Sequence, residues 1–336
     1  MVKLKDIATE LGISCGVVSR ALNPDPAQHN LVSQTTRQRV IDCAVQMGYK
    51  PHLAAAALRR GQVQTIGVFL PVIRNSLMID LLHGISDAAT EEGLPLSLHF
   101  SLHADEYADF FNRVVGTHPL GMISYCPYDT PNRTYLVNAL QEYSSRGGKA
   151  VFVHGEPEEN TQFSSVLIDN YYGGKLAAEF LKKYPAQSFL GVFSSFHLHS
   201  CERRRGFSDS MRNEDRPTRI IQDDFDNALR LDTAYRRLEP LLYVQSRPAI
   251  FVDSDMLGMY IISRLLADGI LPGRDVTILG YDNIYANNLQ HPRLTTIAQP
   301  FYELGSMAAK QLFRELRGEK PERILLKPVL IPGETA

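Results

Sequence analysis

Two short stretches of this chain hold residue types whose spacing could do chemistry. In HLHSC, residues 197–201, His197, His199 and Cys201 alternate, so on a strand they would face one way and offer three metal ligands. No fourth ligand is identifiable, and no metal site is expected. In SCGVVSRALN, residues 14–23, small residues lead the stretch and Arg20 follows Gly16 by one helical turn. The question is whether this is an ordinary amphipathic helix or one made to lie in a groove of DNA. The motifs GxxxxGKS/T and HExxH do not occur, and neither an enzymatic activity nor a cofactor is expected.

The elements that position SCGVVSRALN read as short helices. Leu4, Ile7, Ala8 and Leu11 follow the 3.6-residue period, and Gly12 ends that helix. After a tight Gly12-Ile13-Ser14 turn, Ser14 caps a second helix whose Val17, Val18, Ala21 and Leu22 share a face. A third helix starts after Ser33, is expected to bury Val40, Ile41, Ala44 and Val45, and ends at Gly48. Residues 23–32, NPDPAQHNLV, are too rich in Pro and Asn to be helical and form a loop. Three short helices with a tight turn between the first two make a helix-turn-helix pattern. Residues 1–60 hold eight basic and four acidic side chains, whereas the remainder holds 27 and 33, the balance of a polyanion-binding head on an acidic body.

From residue 64 onward, apolar runs alternate with longer helical segments. Strands are expected at 65–70, 94–100, 121–125, 149–153, 164–168, 188–193, 218–222, 248–253 and 276–282, with helices such as 77–92 and 174–184 between them. Continuous apolar strands separated by helices imply α/β architecture with parallel sheets covered on both faces. That much chain exceeds one such sheet, so two lobes are expected, with a ligand cleft between them beyond the carboxyl ends of the strands. The division is 1–48 for the head, 49–63 for a linker and 64–336 for the body. In the linker, Pro51 and the run from Ala54 to Leu58 favour a helix of about two turns, too short to be stable alone in water. Four scattered cysteines without a CxxC pair imply neither a disulfide framework nor a zinc ribbon. Neither a signal peptide nor an 18-residue apolar run is present, so a cytoplasmic protein without a membrane partner is expected.

LKDIATELGIS with VSRALN, MGYKP followed by LRRGQVQTIGV, then IDNYYGGKLAAEFL, RRRGF, GYDN and LTTIAQPF occur in this order. By these stretches the chain resembles the LacI/GalR family of bacterial transcription regulators over nearly its full length. The resemblance implies a helix-turn-helix head, a hinge helix and a two-lobed body like that of periplasmic binding proteins. It assigns DNA contacts to Ser14, Cys15, Gly16, Val17, Ser19, Arg20 and Asn23 on the head and to Leu58 on the hinge, where a leucine wedges into the minor groove. Arg20 is the main base reader, because a guanidinium can grip guanine through two hydrogen bonds. Gly16, Val17 and Ala56 depart from the family's usual residues at these places, which leaves the operator sequence open.

For the cleft, the resemblance implies effector contacts at His154, Arg203, Ser254, Asp282, Gln299 and Phe301. Arg203 would donate and Asp282 accept, which suits a polyhydroxylated ligand. His154 stands where several relatives have an aspartate. The plainer alternatives are that Asp282 caps a turn and Arg203 pairs with a surface carboxylate. The function implied is a homodimeric repressor of carbohydrate-utilisation genes that binds double-stranded operator DNA, with an allosteric effector, a mono- or disaccharide. The alternatives are a corepressor-dependent, purine-type regulator and a solute-binding protein without DNA binding.

Overall fold

The computed structural model describes residues 2–22, 31–49, 63–71, 76–101, 109–112, 119–125, 133–155, 162–195, 198–223, 228–243 and 248–336. They form two compact units, residues 1–63 and 64–336. The linker helix expected within 49–63, with Leu58, and the loop residues from Asn23 onward lie almost wholly outside the described residues.

The first unit holds α1 (Leu4–Leu11), α2 (Cys15–Ala21) and α3 (Gln34–Gln46). Gly12 ends α1 at φ 65°, a left-handed conformation that glycine enters without steric cost. Ser14 then caps α2, its Oγ accepting the Val17 amide at 3.3 Å. Ile7, Ala8, Val18, Ala21, Val40, Cys43 and Ala44 form the core of this unit. Val45, expected inside, is 76% exposed, and Cys43 takes its place. The inward stripe of α3 therefore runs through Val40, Cys43, Ala44 and Met47, a phase that an apolar count alone misassigned.

The second unit contains two lobes, each built on one six-stranded sheet. The first lobe's sheet has the order β11-β5-β4-β3-β1-β2, from β1 (Val63–Pro71), β2 (Leu96–Ser101), β3 (Pro119–Tyr125), β4 (Ala150–Val153), β5 (Ser164–Ile168) and β11 (Arg323–Leu326). The second has the order β12-β10-β9-β8-β6-β7, from β6 (Phe189–Ser194), β7 (Thr218–Asp223), β8 (Ala249–Val252), β9 (Ile278–Asp282), β10 (Thr295–Ala298) and the antiparallel β12 (Val329–Ile331). Alternate residues of one strand enter different cores: Val151 and Val153 join the core that also holds residues of α4 (Leu77–Glu91), while Ala150 and Phe152 face an aromatic cluster with Phe69, Phe110 and Phe111. Both faces are thus buried, as the continuous apolar runs predicted.

The chain crosses between lobes after β5, after β10 and between β11 and β12. The second crossing delivers α10 (Phe301–Leu316) from the second lobe to the core of the first, where it lies along α4. Gly84 of α4 and Gly305 of α10 permit this approach, since a Cβ on either would collide with the backbone carbonyl of Tyr302 or Leu81 on the other helix. Gly84→Ala must therefore push the two helices apart, at about 1–3 kcal/mol and several degrees of melting temperature. Thermal unfolding followed by circular dichroism tests this, and an unchanged midpoint would contradict the backbone contact.

Candidate functional site

On the head, α2 divides its residues by burial. Val18 and Ala21 are buried, Val17 and Ser19 are half-buried, and Ser14, Cys15, Gly16 and Arg20 are exposed. Because residues four apart share a face, Gly16 and Arg20 lie along one open side of the helix. A Cβ on Gly16 would meet only Ser14 Oγ at 3.7 Å, so the packing of the head does not require glycine there. Asn23 lies outside the described residues.

In the body, the carboxyl ends of the strands supply the cleft, as parallel α/β folds commonly arrange. Helices α6 (Asn170–Leu181) and α7 (Leu198–Met211) build its second-lobe end. Asp169 caps α6 by accepting the Tyr172 amide at 2.8 Å, so the helix begins four residues earlier than the expected 174. Gly174 and Gly206 bring α7 against α6, since a Cβ on either would strike the backbone carbonyl of Arg203 or Tyr171. This approach lets Arg203 Nε donate to Asn170 Oδ1 at 2.8 Å and Nη1 donate to the Asp253 carbonyl at 2.9 Å. The guanidinium carbon lies 3.8 Å from the centroid of the Tyr281 ring, and the Tyr281 hydroxyl also donates to Asn170 Oδ1. Arg203 is therefore a buried residue of the cleft and not a surface ion-pair partner.

Asp282 ends β9 with φ 118°, followed by Asn283 at 59°. Gln299 Nε2 donates to its carboxylate at 2.6 Å. Burial pushes the Asp282 carboxyl up to about 7, while Arg203 and Gln299 hold it down and Asp253 pushes it further up. Gln299 Oε1 is buried and accepts no hydrogen bond from the described residues. An acceptor of this kind beside Asp282 invites a ligand hydroxyl or amide.

The first lobe contributes rings. His154, at φ 58° just beyond β4, lies 5.2 Å from Tyr125, 5.3 Å from Phe301 and 3.7 Å from His199 of α7, centroid to centroid. The last contact joins the two lobes. His199 and Cys201 occur on a helix rather than the strand the HLHSC pattern suggested, and His197 lies outside the described residues. Among the described residues no three His, Cys, Asp or Glu side chains group as a metal site. Ser254 is half-buried and precedes α9 (Asp255–Ala267) without a side-chain capping bond. Thus His154, Arg203, Asp282, Gln299 and Phe301 share one region. Asn170, Tyr281, Asp253 and His199 belong with them and were not singled out as effector contacts by sequence; the D-S-D repeat after β8 and the Asp-Asn pair after β5 were the available signals.

The Asp282 carboxyl has a testable linkage. Its folded-state value lies above the ordinary 3.8, so the folded protein binds the proton more tightly than the unfolded chain. The stability this gives is complete below about pH 4 and is lost as pH rises through 7. Asp282→Asn removes the loss, so the melting temperature of the variant relative to the wild type should rise between pH 5 and pH 8. A difference independent of pH would contradict the assignment.

Residues 3–52 match the family model described as bacterial regulatory proteins, lacI family, and residues 186–336 match a periplasmic binding protein-like domain. The chain is 26% identical to the HTH-type transcriptional repressor CytR of Escherichia coli (strain K12), with 99% of this chain and 96% of the relative covered. The lac repressor dimer bound to operator and the anti-inducer ONPF has a similar fold, with TM-score 0.80 and 21% identity over 99% of this chain and 98% of that one. So has a complex of the transcriptional regulator CelR with cellobiose, at TM-score 0.69 and 22% identity over the whole of both chains. None of the described helices is long and apolar enough to cross a membrane. In a head that matches the lacI-family model and a body that matches a periplasmic binding protein-like domain over residues 186–336, the chain is thus similar to the LacI family of bacterial regulatory proteins.

Proposed function

We propose that this protein is a cytoplasmic, sequence-specific repressor of carbohydrate-utilisation genes, without enzymatic activity, whose affinity for operator DNA changes when a mono- or disaccharide binds between the body's lobes. The observation that carries the reading is that one chain joins an exposed helix-turn-helix face to a cleft with a buried arginine, a proton-sharing carboxyl and an unpaired amide oxygen. Ser14, Cys15, Gly16, Val17, Ser19, Arg20 and Asn23 are the DNA-facing set, and Arg20 carries most of the discrimination. A homodimer on an inverted repeat follows from the two-fold symmetry such sites share with their proteins. In the cleft, His154, Arg203, Ser254, Asp282, Gln299 and Phe301 are the proposed effector contacts. Sugar hydroxyls would donate to Asp282 and Gln299, and the ring would lie against Phe301 and His154. Residues 49–63 form the proposed hinge, and a ligand that prefers one lobe arrangement alters DNA binding through it.

Selection from random duplex DNA at near-physiological salt is expected to enrich an inverted repeat. On that sequence Arg20→Ala should cost about 1–3 kcal/mol, or roughly 5- to 150-fold in affinity, by fluorescence anisotropy. An unchanged affinity would remove Arg20 from the interface. Leu58→Ala should weaken operator binding and blunt its response to sugar, and survival of both would end the hinge account. A sugar that tightens rather than loosens binding would make the effector a corepressor.

A further inference from the structure

The backbone that carries Asp282 is held from behind by a residue outside the set of effector contacts. Asp255, the first residue of α9, has no exposed surface. Its Oδ2 accepts the Ile284 amide at 3.0 Å and its Oδ1 accepts the Thr296 hydroxyl at 2.6 Å, while the Asn283 amide also donates to it. One carboxylate thus ties α9, the exit of β9 and the middle of β10 together. Gly280 of β9 leaves it room, because a Cβ there would collide with Oδ1. The two residues on the tethered segment, Asp282 and Asn283, hold positive φ although neither is glycine. Such backbone persists only where the surroundings impose it, and the Asp255 bonds to the next two amides are what impose it here.

We infer that Asp255 is a positioning residue of the cleft: by fixing the amides of Asn283 and Ile284 it aims the Asp282 carboxyl at Gln299 and at the bound effector. This rests on the reading of Asp282 as an effector contact. The groups that face the two acids are Arg203 and Gln299 on the cleft side, Asp253 beside them, and Thr296 behind. Burial and Asp282 raise the Asp255 carboxyl well above its ordinary range.

Asparagine keeps the tether and alanine removes it. In Asp255→Asn the amide oxygen can accept from Ile284 while the amide nitrogen donates to Thr296 Oγ1, so the segment stays in place. In Asp255→Ala the bonds are lost. The full-length protein, labelled with 13C at the aspartate carboxyls and assigned through Asp282→Asn, reports the Asp282 titration directly. Hydrogen exchange at the Ile284 amide reports the tether. Asp255→Asn should leave the Asp282 midpoint near its wild-type value and Ile284 protected. Asp255→Ala should raise exchange at Ile284 roughly tenfold or more and move the Asp282 midpoint down toward the ordinary carboxylate range, while β6 and β8 amides remain protected. Undiminished Ile284 protection in Asp255→Ala overturns the proposal, and so does an Asp282 midpoint in that variant equal to the wild type's. Should the alanine variant fail to fold, the wild type decides: exchange at its Ile284 amide as fast as at exposed loop amides overturns the tether. Neither readout uses an effector, so a failed sugar screen would count against the functional reading and leave this result standing.

Discussion

Arg203 is buried, and a guanidinium taken out of water is costly unless its donors and its flat faces find partners. Much of the second lobe's end of the cleft is arranged to meet that demand. Asn170 supplies an acceptor to Nε, the carbonyl of Asp253 supplies one to Nη1, and the Tyr281 ring covers a face. These partners come from three different elements, so their meeting depends on backbone contacts far closer than side chains usually allow. Gly174 and Gly206 supply that closeness between α6 and α7, and Gly173 does the same beneath the Tyr281 ring. The glycines in YYGG and RRRGF are therefore part of how the arginine is seated, although none reaches the cleft.

The same demand explains the neighbouring acids. Asp253 is buried and anchored by the Ser194 amide and the Ser200 hydroxyl, which ties the exits of β6 and β8 to the start of α7. It stays close enough to influence Asp282. A carboxylate already engaged by a backbone amide and a serine hydroxyl is a poor ligand contact, whereas Asp282, which among the described residues accepts from Gln299 Nε2, retains acceptor capacity. Position in the hydrogen-bond network, rather than acidity or burial alone, separates the structural carboxylates from the one suited to a ligand.

Sequence reading recovered the architecture because the inner parallel strands, buried on both faces, are apolar runs, and nine strands, the half-exposed edges β2 and β7 among them, were visible in place. It missed β10, β11 and β12, of three or four residues each, which owe their pairing to the sheets they join. The alternation in HLHSC would offer three ligands only on a strand, and α7, which begins at Leu198, makes it helical from there on. Arg203, Asp282, Gln299 and Phe301 were legible only through motif resemblance. Asn170 and Asp255 offered only the Asp-Asn and D-S-D patterns, since an asparagine or aspartate at a helix start reads as a cap, and only the folded chain brings Asn170 to Arg203 or Asp255 to Ile284.

Among the described residues the connections between the lobes include three chain crossings, the ring contact of His154 with His199, the Tyr285 amide donating to Ser76 Oγ at 3.0 Å, and Ile284 packed in the first lobe's core. Lobes joined at crossings can change their angle without breaking either sheet, because the hydrogen-bonded ladders lie wholly within one lobe or the other. Among the contacts such a motion disturbs is the stack of His154 on His199. A ligand ring placed against Phe301 competes with His199 for the face of His154, so the same rings that would hold an effector are those that join the lobes without one. Differential affinity for two lobe arrangements, which any allosteric ligand requires, then needs no contact beyond this cluster.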